Sequence, residues 1–152
     1  MPVLETTFQK IISFALNNEK EAAEFYTDMS TRAKKQNAKT MFSELAAEEM
    51  KHREFFEGLA EDRLPDLPVE KVVDLKISEY LVDVEFRQDM DYQDILILAM
   101  KKEESAVKLY NDMATKVQAP KLRKLLEAMA QEEAKHKLRL ETEYDENVLA
   151  ED

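Results

Sequence analysis

Apolar residues recur every three or four positions along four long stretches of the chain, which is the spacing of one face of an α-helix. The pattern predicts helices over about residues 3–33, 38–60 and 92–117. A fourth helix is predicted to begin at Pro120, because the first turn of a helix tolerates proline. The expected inward residues are Phe8, Ile11, Ala15, Ala22, Tyr26, Met29, Ala33, Ala38, Phe42, Leu45, Phe56, Leu59, Ile95, Ala99, Ala106, Tyr110, Met113, Leu122, Leu126, Met129 and Leu140. The predicted fold class is therefore all-α.

The segment of about residues 62–91 separates the second predicted helix from the third and is far longer than a helix-to-helix turn. Pro65 and Pro68 favour an extended conformation in its first part, and residues 77–86 fit a short helix or an irregular strand. We predict a long crossover within a single domain of residues 1–152, since about 30 residues can traverse a helical bundle. The alternative, a floppy linker between two small domains, is disfavoured because a lone two-helix hairpin cannot bury its apolar stripe.

The two predicted hairpins, about residues 3–61 and 92–144, repeat each other. Adding 84 to a residue number carries Ala15 to Ala99 and Tyr26 to Tyr110. The same shift carries AAEEMKH at residues 46–52 onto AQEEAKH at residues 130–136 without a gap. Two copies of one hairpin are expected to pair about a pseudo-twofold axis and form a four-helix bundle.

Six polar residues occupy helix positions that the stripes would otherwise reserve for apolar side chains. The first helix of each hairpin supplies one glutamate, and the second supplies a Glu-x-x-His pair, whose members share a helix face. All of them lie at a similar depth from the hairpin turns, so their side chains are expected to meet at one level of the core. The six residues are Glu19, Glu49, His52, Glu103, Glu133 and His136.

Four buried carboxylates would repel one another, and no Lys or Arg is expected on the inward stripes at this level. Two divalent cations would neutralise four negative charges, and the two imidazoles would complete one nitrogen ligand for each cation. The chain has only two histidines, His52 and His136, and each follows a glutamate by three residues. The alternative, that both are ordinary core histidines, leaves the buried carboxylates unexplained. The pattern therefore favours a dinuclear metal site.

Composition and charge narrow the class of function. The chain has no cysteine, which excludes disulfides, thiolate metal sites and iron–sulfur clusters. Its formal net charge of −11 at pH 7 argues against a nucleic-acid partner, because nothing in it would neutralise a row of phosphates. The N-terminus lacks the features of a signal peptide and no segment approaches the roughly 20 apolar residues of a membrane span. A cytoplasmic protein without a membrane partner is expected.

Four segments, ALNNEKEAAEFY, AAEEMKH, AMKKEESAVKLY and AQEEAKH, resemble the ligand helices of the ferritin-like di-iron carboxylate proteins. Within that superfamily the chain is most similar to the rubrerythrin family, in its short members that consist of the ferritin-like domain alone. The resemblance covers nearly the whole chain and is weakest over residues 62–91. It implies a ferritin-like four-helix bundle that holds two iron ions and neither haem nor an iron–sulfur cluster, with manganese and zinc as alternative metals.

The resemblance also implies a role for individual residues. By this resemblance Glu19 and Glu103 would each bind one metal. Glu49 and Glu133 would bridge both metals, and His52 and His136 would each bind one. Tyr26 and Tyr110 would hydrogen-bond the ligand carboxylates, with plain core packing as the alternative. Glu48 and Glu132 are placed where relatives carry an acid that orients a histidine across the bundle.

Two departures from the rubrerythrin pattern affect the expected function. Rubrerythrins typically carry a rubredoxin domain with four cysteines, so this chain would need an external electron donor. They also carry a further glutamate three residues after the third-helix ligand, where this chain has Ala106. The nearly symmetric set of six ligands is closer to bacterioferritin-type centres.

The expected function is that of an oxidoreductase in which ferrous iron reacts with peroxide or O2. One alternative is ferroxidase activity that serves iron storage or delivery. The other is a non-catalytic bundle that a metal stabilises. A homodimer is the expected assembly.

Overall fold

A computed structural model describes residues 8–66, 74–77, 81 and 85–148 of the chain. Over these residues the protein is helical and contains no β-strand. The four α-helices are α1 (Phe8–Arg32), α2 (Gln36–Glu57), α3 (Tyr92–Thr115) and α4 (Pro120–Asn147). A short 3-10 turn, Glu61–Arg63, follows α2. None of these helices combines the length and the apolar content that crossing a membrane requires.

The helix bounds agree with the predicted ones to within three residues at the ends that can be compared. Helix α2 ends at Glu57 rather than at residue 60, because Gly58, a poor helix former, follows, and the next N–H, that of Leu59, bonds to the carbonyl of Phe56 three residues back instead of four. Pro120 occupies the first turn of α4, as predicted. The predicted start of the first helix at residue 3, and most of the 77–86 segment, lie outside the described residues.

The chain divides into two compact units, Met1–Pro65 and Asp66–Asp152. In the first unit α1 packs against α2 and forms hairpin 1, with residues 33–35 as the connection. In the second unit α3 packs against α4 and forms hairpin 2, with residues 116–119 as the connection. The two hairpins that the internal repeat predicts are therefore present. The single domain over residues 1–152 stays a prediction.

Each hairpin buries the apolar stripe that the sequence predicts. In hairpin 1, Phe42 is fully buried, and the ring of Tyr26 stacks on it with centroids 6.2 Å apart. In hairpin 2, Tyr110 and Leu126 are fully buried. Two of the predicted inward residues, Ala22 and Leu59, are only half-buried. The neighbouring Ala23 takes the buried position in α1, and Leu59 lies beyond the last turn of α2.

Candidate metal centre

Hairpin 1 brings together three of the six predicted ligands, which we name half-site 1: Glu19 of α1 with Glu49 and His52 of α2. Both carboxylates are fully buried, and the histidine side chain is 14% exposed. Nδ1 of His52 lies 2.8 Å from Oε1 of Glu19 and 3.2 Å from Oε1 of Glu49. One imidazole nitrogen therefore faces two carboxylates that come from two different helices.

Hairpin 2 contains the equivalent trio, half-site 2: Glu103 of α3 with Glu133 and His136 of α4. All three side chains are buried, and that of the histidine is 5% exposed. Nδ1 of His136 lies 3.3 Å from Oε2 of Glu103 and 3.2 Å from Oε1 of Glu133. The repeat in the sequence thus extends to the orientation of the side chains. In both hairpins Nδ1 of the histidine faces the two carboxylates that occupy equivalent positions in the repeat.

Small residues flank the carboxylates in both half-sites. Ala15 precedes Glu19 by one helical turn, and Ala46 precedes Glu49 in the same way; both alanines are buried. Their counterparts in hairpin 2, Ala99 and Ala130, are buried too. Residues one turn apart share a helix face, so the alanines extend the buried stripe without presenting a long side chain to the carboxylates.

The electrostatics of half-site 1 explain how two carboxylates are tolerated in the metal-free protein. Burial alone would lower the pKa of His52. The hydrogen bonds with Glu19 and Glu49, and the negative charges of these carboxylates, outweigh that effect and raise the pKa to about 9. His52 is therefore an imidazolium at neutral pH, and it places a positive charge between the two carboxylates.

The donor atoms of each half-site fit a metal ion. In each trio, one imidazole nitrogen and one oxygen from each carboxylate lie within 4.8 Å of one another. Carboxylate oxygen and imidazole nitrogen suit iron, manganese and zinc, and the chain has no cysteine to supply a softer ligand. Each half-site could therefore hold a metal cation. In half-site 1 the cation would take the place of the proton that His52 carries in the metal-free protein.

The tyrosines and acids that were predicted to support the site are placed as follows. Tyr26 and Tyr110 are both buried, and the ring contact with Phe42 shows that Tyr26 also packs in the core of hairpin 1. The hydrogen bonds from the two tyrosines to ligand carboxylates stay predictions. Glu132 is partly exposed and its Oε2 accepts a hydrogen bond from Nζ of Lys135, while Glu48 is half-buried. An orienting role for either acid stays a prediction as well.

The expectation that no Lys or Arg lies inside the bundle at this level is wrong for Lys137. This residue directly follows His136 and is buried, and its Nζ donates to Oδ1 of Asp74 at 2.7 Å and to Oε2 of Glu141 at 3.1 Å. A Lys–Glu pair spaced by four residues is usually found on the solvent face of a helix, so the spacing carries no signal of burial. The sequence interpretation also missed Asn18, whose Nδ2 donates to Oε2 of Glu19 at 3.1 Å.

Comparisons with known proteins agree with this architecture. A family model described as a ferritin-like domain matches residues 8–144, a range that includes both half-sites. Among solved structures, a hypothetical protein from Pyrococcus furiosus is similar, with a TM-score of 0.65 and 27% sequence identity over 91% of this chain and 89% of that chain. None of the curated proteins matches the chain. The predicted fold class, an all-α ferritin-like four-helix bundle, is confirmed, and the chain belongs to the ferritin-like domain family.

Proposed function

We propose that half-site 1 and half-site 2 meet in one dinuclear iron centre, and that the protein is a rubrerythrin-like oxidoreductase that reacts ferrous iron with peroxide or O2. The observation that carries the proposal is that each hairpin contains an equivalent trio of donor residues. In each trio Nδ1 of the histidine faces the two glutamates. Ferritin-like di-iron proteins build their centre from a glutamate on each of two helices and a Glu-x-x-His pair on each of the other two.

Charge balance supports two divalent ions rather than one. Four carboxylates carry four negative charges, which two divalent cations cancel once both histidines are neutral. In this arrangement Glu49 and Glu133 would be shared by the two ions, Glu19 and Glu103 would each hold one, and His52 and His136 would complete the set. Hard carboxylate oxygens stabilise the ferric state more than the ferrous state, so the chain favours oxidation of the iron it holds.

The chemistry requires an oxidant and a reductant from outside the chain. When bound, a pair of ferrous ions supplies the two electrons that, with two protons, reduce one hydrogen peroxide molecule to two waters. The four carboxylates are buried among apolar side chains of the helices, so bulk water has little access to these donor atoms. The chain has no cysteine with which to build a rubredoxin-type centre, so an external electron donor has to restore the ferrous state.

A second candidate function, ferroxidase activity in iron handling, is favoured by Ala106. This residue is buried on α3 three positions after Glu103, where rubrerythrins carry a further glutamate. Half-site 2 therefore has no carboxylate at that position to rebind an iron ion. The centre then resembles those that oxidise Fe2+ with O2 rather than those specialised for peroxide.

Iron binding and oxidation test the proposal directly. The metal-free protein is titrated anaerobically with Fe2+, and the loaded protein is mixed with hydrogen peroxide or O2 while the absorbance of ferric iron is followed. We expect two ions per chain and oxidation at least about tenfold faster than that of free Fe2+. A faster reaction with peroxide favours the rubrerythrin-like activity, and a faster reaction with O2 favours the ferroxidase activity.

Variants assign the reaction to the centre. Glu49→Gln and Glu133→Gln each remove a bridging charge and are expected to abolish binding of the second ion. Glu54→Gln serves as the control, because Glu54 lies on the same helix as Glu49 but is exposed. Two bound ions with no accelerated oxidation would instead identify a bundle that the metal only stabilises, and the absence of binding would overturn the centre itself.

The homodimer and the cytoplasmic location stay predictions. Size-exclusion chromatography tests the assembly, since iron storage requires a shell of many subunits whereas an oxidoreductase does not.

A further inference from the structure

The shift of 84 residues also relates a pair of opposite charges that lies just after each histidine. Arg53 and Glu57 form this pair in α2, and Lys137 and Glu141 take the equivalent positions in α4. In α2 the pair lies at the surface, with side chains 41% and 50% exposed. In α4 the side chains are 8% and 0% exposed. The two hairpins therefore differ at this position in burial rather than in the kind of charge.

A residue of the crossover contacts the buried pair in α4. Oδ1 of Asp74 accepts a hydrogen bond from Nζ of Lys137 at 2.7 Å and another from the backbone N–H of Lys76 at 2.8 Å. Lys76 has φ of 60°, a left-handed conformation that is costly for a residue with a Cβ, and its bond to Asp74 holds this turn. Residues 74–77 are thereby attached to α4 one residue after His136. The crossover lies outside the repeat, so the repeat supplies no counterpart of Asp74 for the pair in α2.

The attachment coincides with a difference between the two histidines. The side chain of His136 is 5% exposed, whereas that of His52 is 14% exposed. A ligand can release a metal only if its side chain rotates away and water reaches the ion. Two charge-assisted hydrogen bonds at Lys137 restrain the turn of α4 that carries His136, whereas the turn of α2 that carries His52 is followed by a solvent-exposed ion pair.

We propose that half-site 2 retains its metal whereas half-site 1 exchanges its metal with the solution, and that the Asp74 cluster, formed by Asp74, Lys137 and Glu141, is the cause. This inference rests on the proposed metal centre and adds that its two positions are unequal. In the working protein, half-site 1 is then the position that takes up and releases iron, and half-site 2 is the position that keeps the centre assembled.

The rate of metal release tests the inference without any measurement of activity. The protein is loaded with two equivalents of Zn2+ and mixed with an excess of a chromogenic chelator, and the absorbance of the chelate is followed. We expect two phases of one equivalent each. His52→Ala is expected to remove the fast phase, and His136→Ala is expected to remove the slow one.

The Asp74 cluster is tested by Asp74→Asn, which keeps an acceptor oxygen and alters a side chain that is half exposed, so the fold is retained. We expect the slow phase to accelerate roughly fivefold, because the acceptor loses its charge and the hydrogen bond from Lys137 weakens, and we expect the fast phase to stay the same. Lys137→Gln is expected to accelerate the same phase. Glu57→Gln, the same kind of change in the equivalent pair of α2, is expected to leave both rates within about twofold.

The outcomes separate this inference from the proposed function. Two results would overturn the proposed difference in metal release between the half-sites and leave the proposed dinuclear centre intact. One is release of both equivalents in a single phase, and the other is a slow phase that neither Asp74→Asn nor Lys137→Gln accelerates. Failure of the unmodified protein to bind two equivalents would overturn both.

Discussion

His52 occupies a position where a proton and the proposed metal ion would compete for the same atom. Its Nδ1 faces Glu19 and Glu49, and the two carboxylates raise its pKa to about 9. Because this value lies above the ordinary 6.5, the interaction stabilises the metal-free fold fully below pH 6.5. That contribution is lost as the pH rises through about 9. The metal needs the lone pair of the neutral ring, so its affinity has the opposite dependence on pH.

We predict that metal binding at half-site 1 releases one proton from His52 at pH 7. Titration calorimetry in buffers of different ionisation enthalpy counts this proton, and the count is expected to fall towards zero above pH 9. The apparent affinity is expected to rise by up to about tenfold per pH unit between pH 7 and 9. His52→Ala should lose the proton release at this position. An unchanged proton count in that variant would contradict the raised pKa.

The sequence could predict which carboxylates and histidines are buried close together in each hairpin, but it could not predict the Asp74 cluster. His52 and His136 are the only histidines, and the glutamate three residues before each of them falls on a helical stripe that is otherwise apolar. Lys137 and Glu141 have the same spacing as an ordinary surface pair. The cluster includes Asp74, a residue 63 positions away from Lys137 in an aperiodic segment. A pattern within one helix contains no information about such a contact.

The start of α3 is the helix end for which the structure gives the clearest local cause. The carboxylate of Asp91 accepts a hydrogen bond at 2.9 Å from the backbone N–H of Asp94, one of the donors that a helix leaves without an intrahelical partner. Asp94 in turn accepts a hydrogen bond from Arg87, which lies in the segment just before the helix. These contacts fix where the crossover ends and hairpin 2 begins.

We predict that Asp91→Ala lowers the free energy of unfolding by about 1 kcal/mol, because the alanine side chain cannot accept the bond from Asp94. Asp91→Asn is the matched control and is expected to stay within a few tenths of a kcal/mol, since asparagine caps a helix about as well as aspartate. Urea denaturation followed by circular dichroism measures both. An equal loss in the two variants would show that the charge matters rather than the cap.

Helix bounds were predictable where a breaker residue marks them and less so elsewhere. Pro120 fixes the start of α4, and the predicted start of α3 at Tyr92 is confirmed. The end of α2 was predicted three residues too late, because Leu59 continues the apolar spacing past Gly58. Periodicity alone cannot distinguish an apolar residue on the last helical turn from one that packs just after it.

At the scale of the whole molecule, the acidic charge and the buried carboxylates would make the metal-free state less stable than a metal-loaded state. The formal net charge is −11, and four of the glutamates are buried in the half-sites. Bound cations would remove this repulsion only in the folded protein, because the unfolded chain does not hold the six donors together. The proposed metal binding would therefore be linked to folding.

We predict that Fe2+ or Zn2+ raises the melting temperature of the metal-free protein. At a free metal concentration 100 times the dissociation constant the gain is about 2.7 kcal/mol, or roughly 5 to 10 °C for a chain of this size. Differential scanning calorimetry under anaerobic conditions measures it. Glu49→Gln is expected to lose the part of the gain that the second ion contributes, and Glu54→Gln is expected to keep the whole gain. A melting temperature that does not change when metal is added to the unmodified protein would argue against the centre.

The duplicated hairpin has a consequence for the origin of the protein. Each copy contains a complete donor trio, so an ancestral polypeptide of about half the present length would already have carried every ligand type that the centre uses. Two identical copies of such a peptide would have supplied three pairs of equivalent donors around a true twofold axis. Fusion of two such copies, with insertion of the segment that contains Asp74, would then let selection act on each metal position separately.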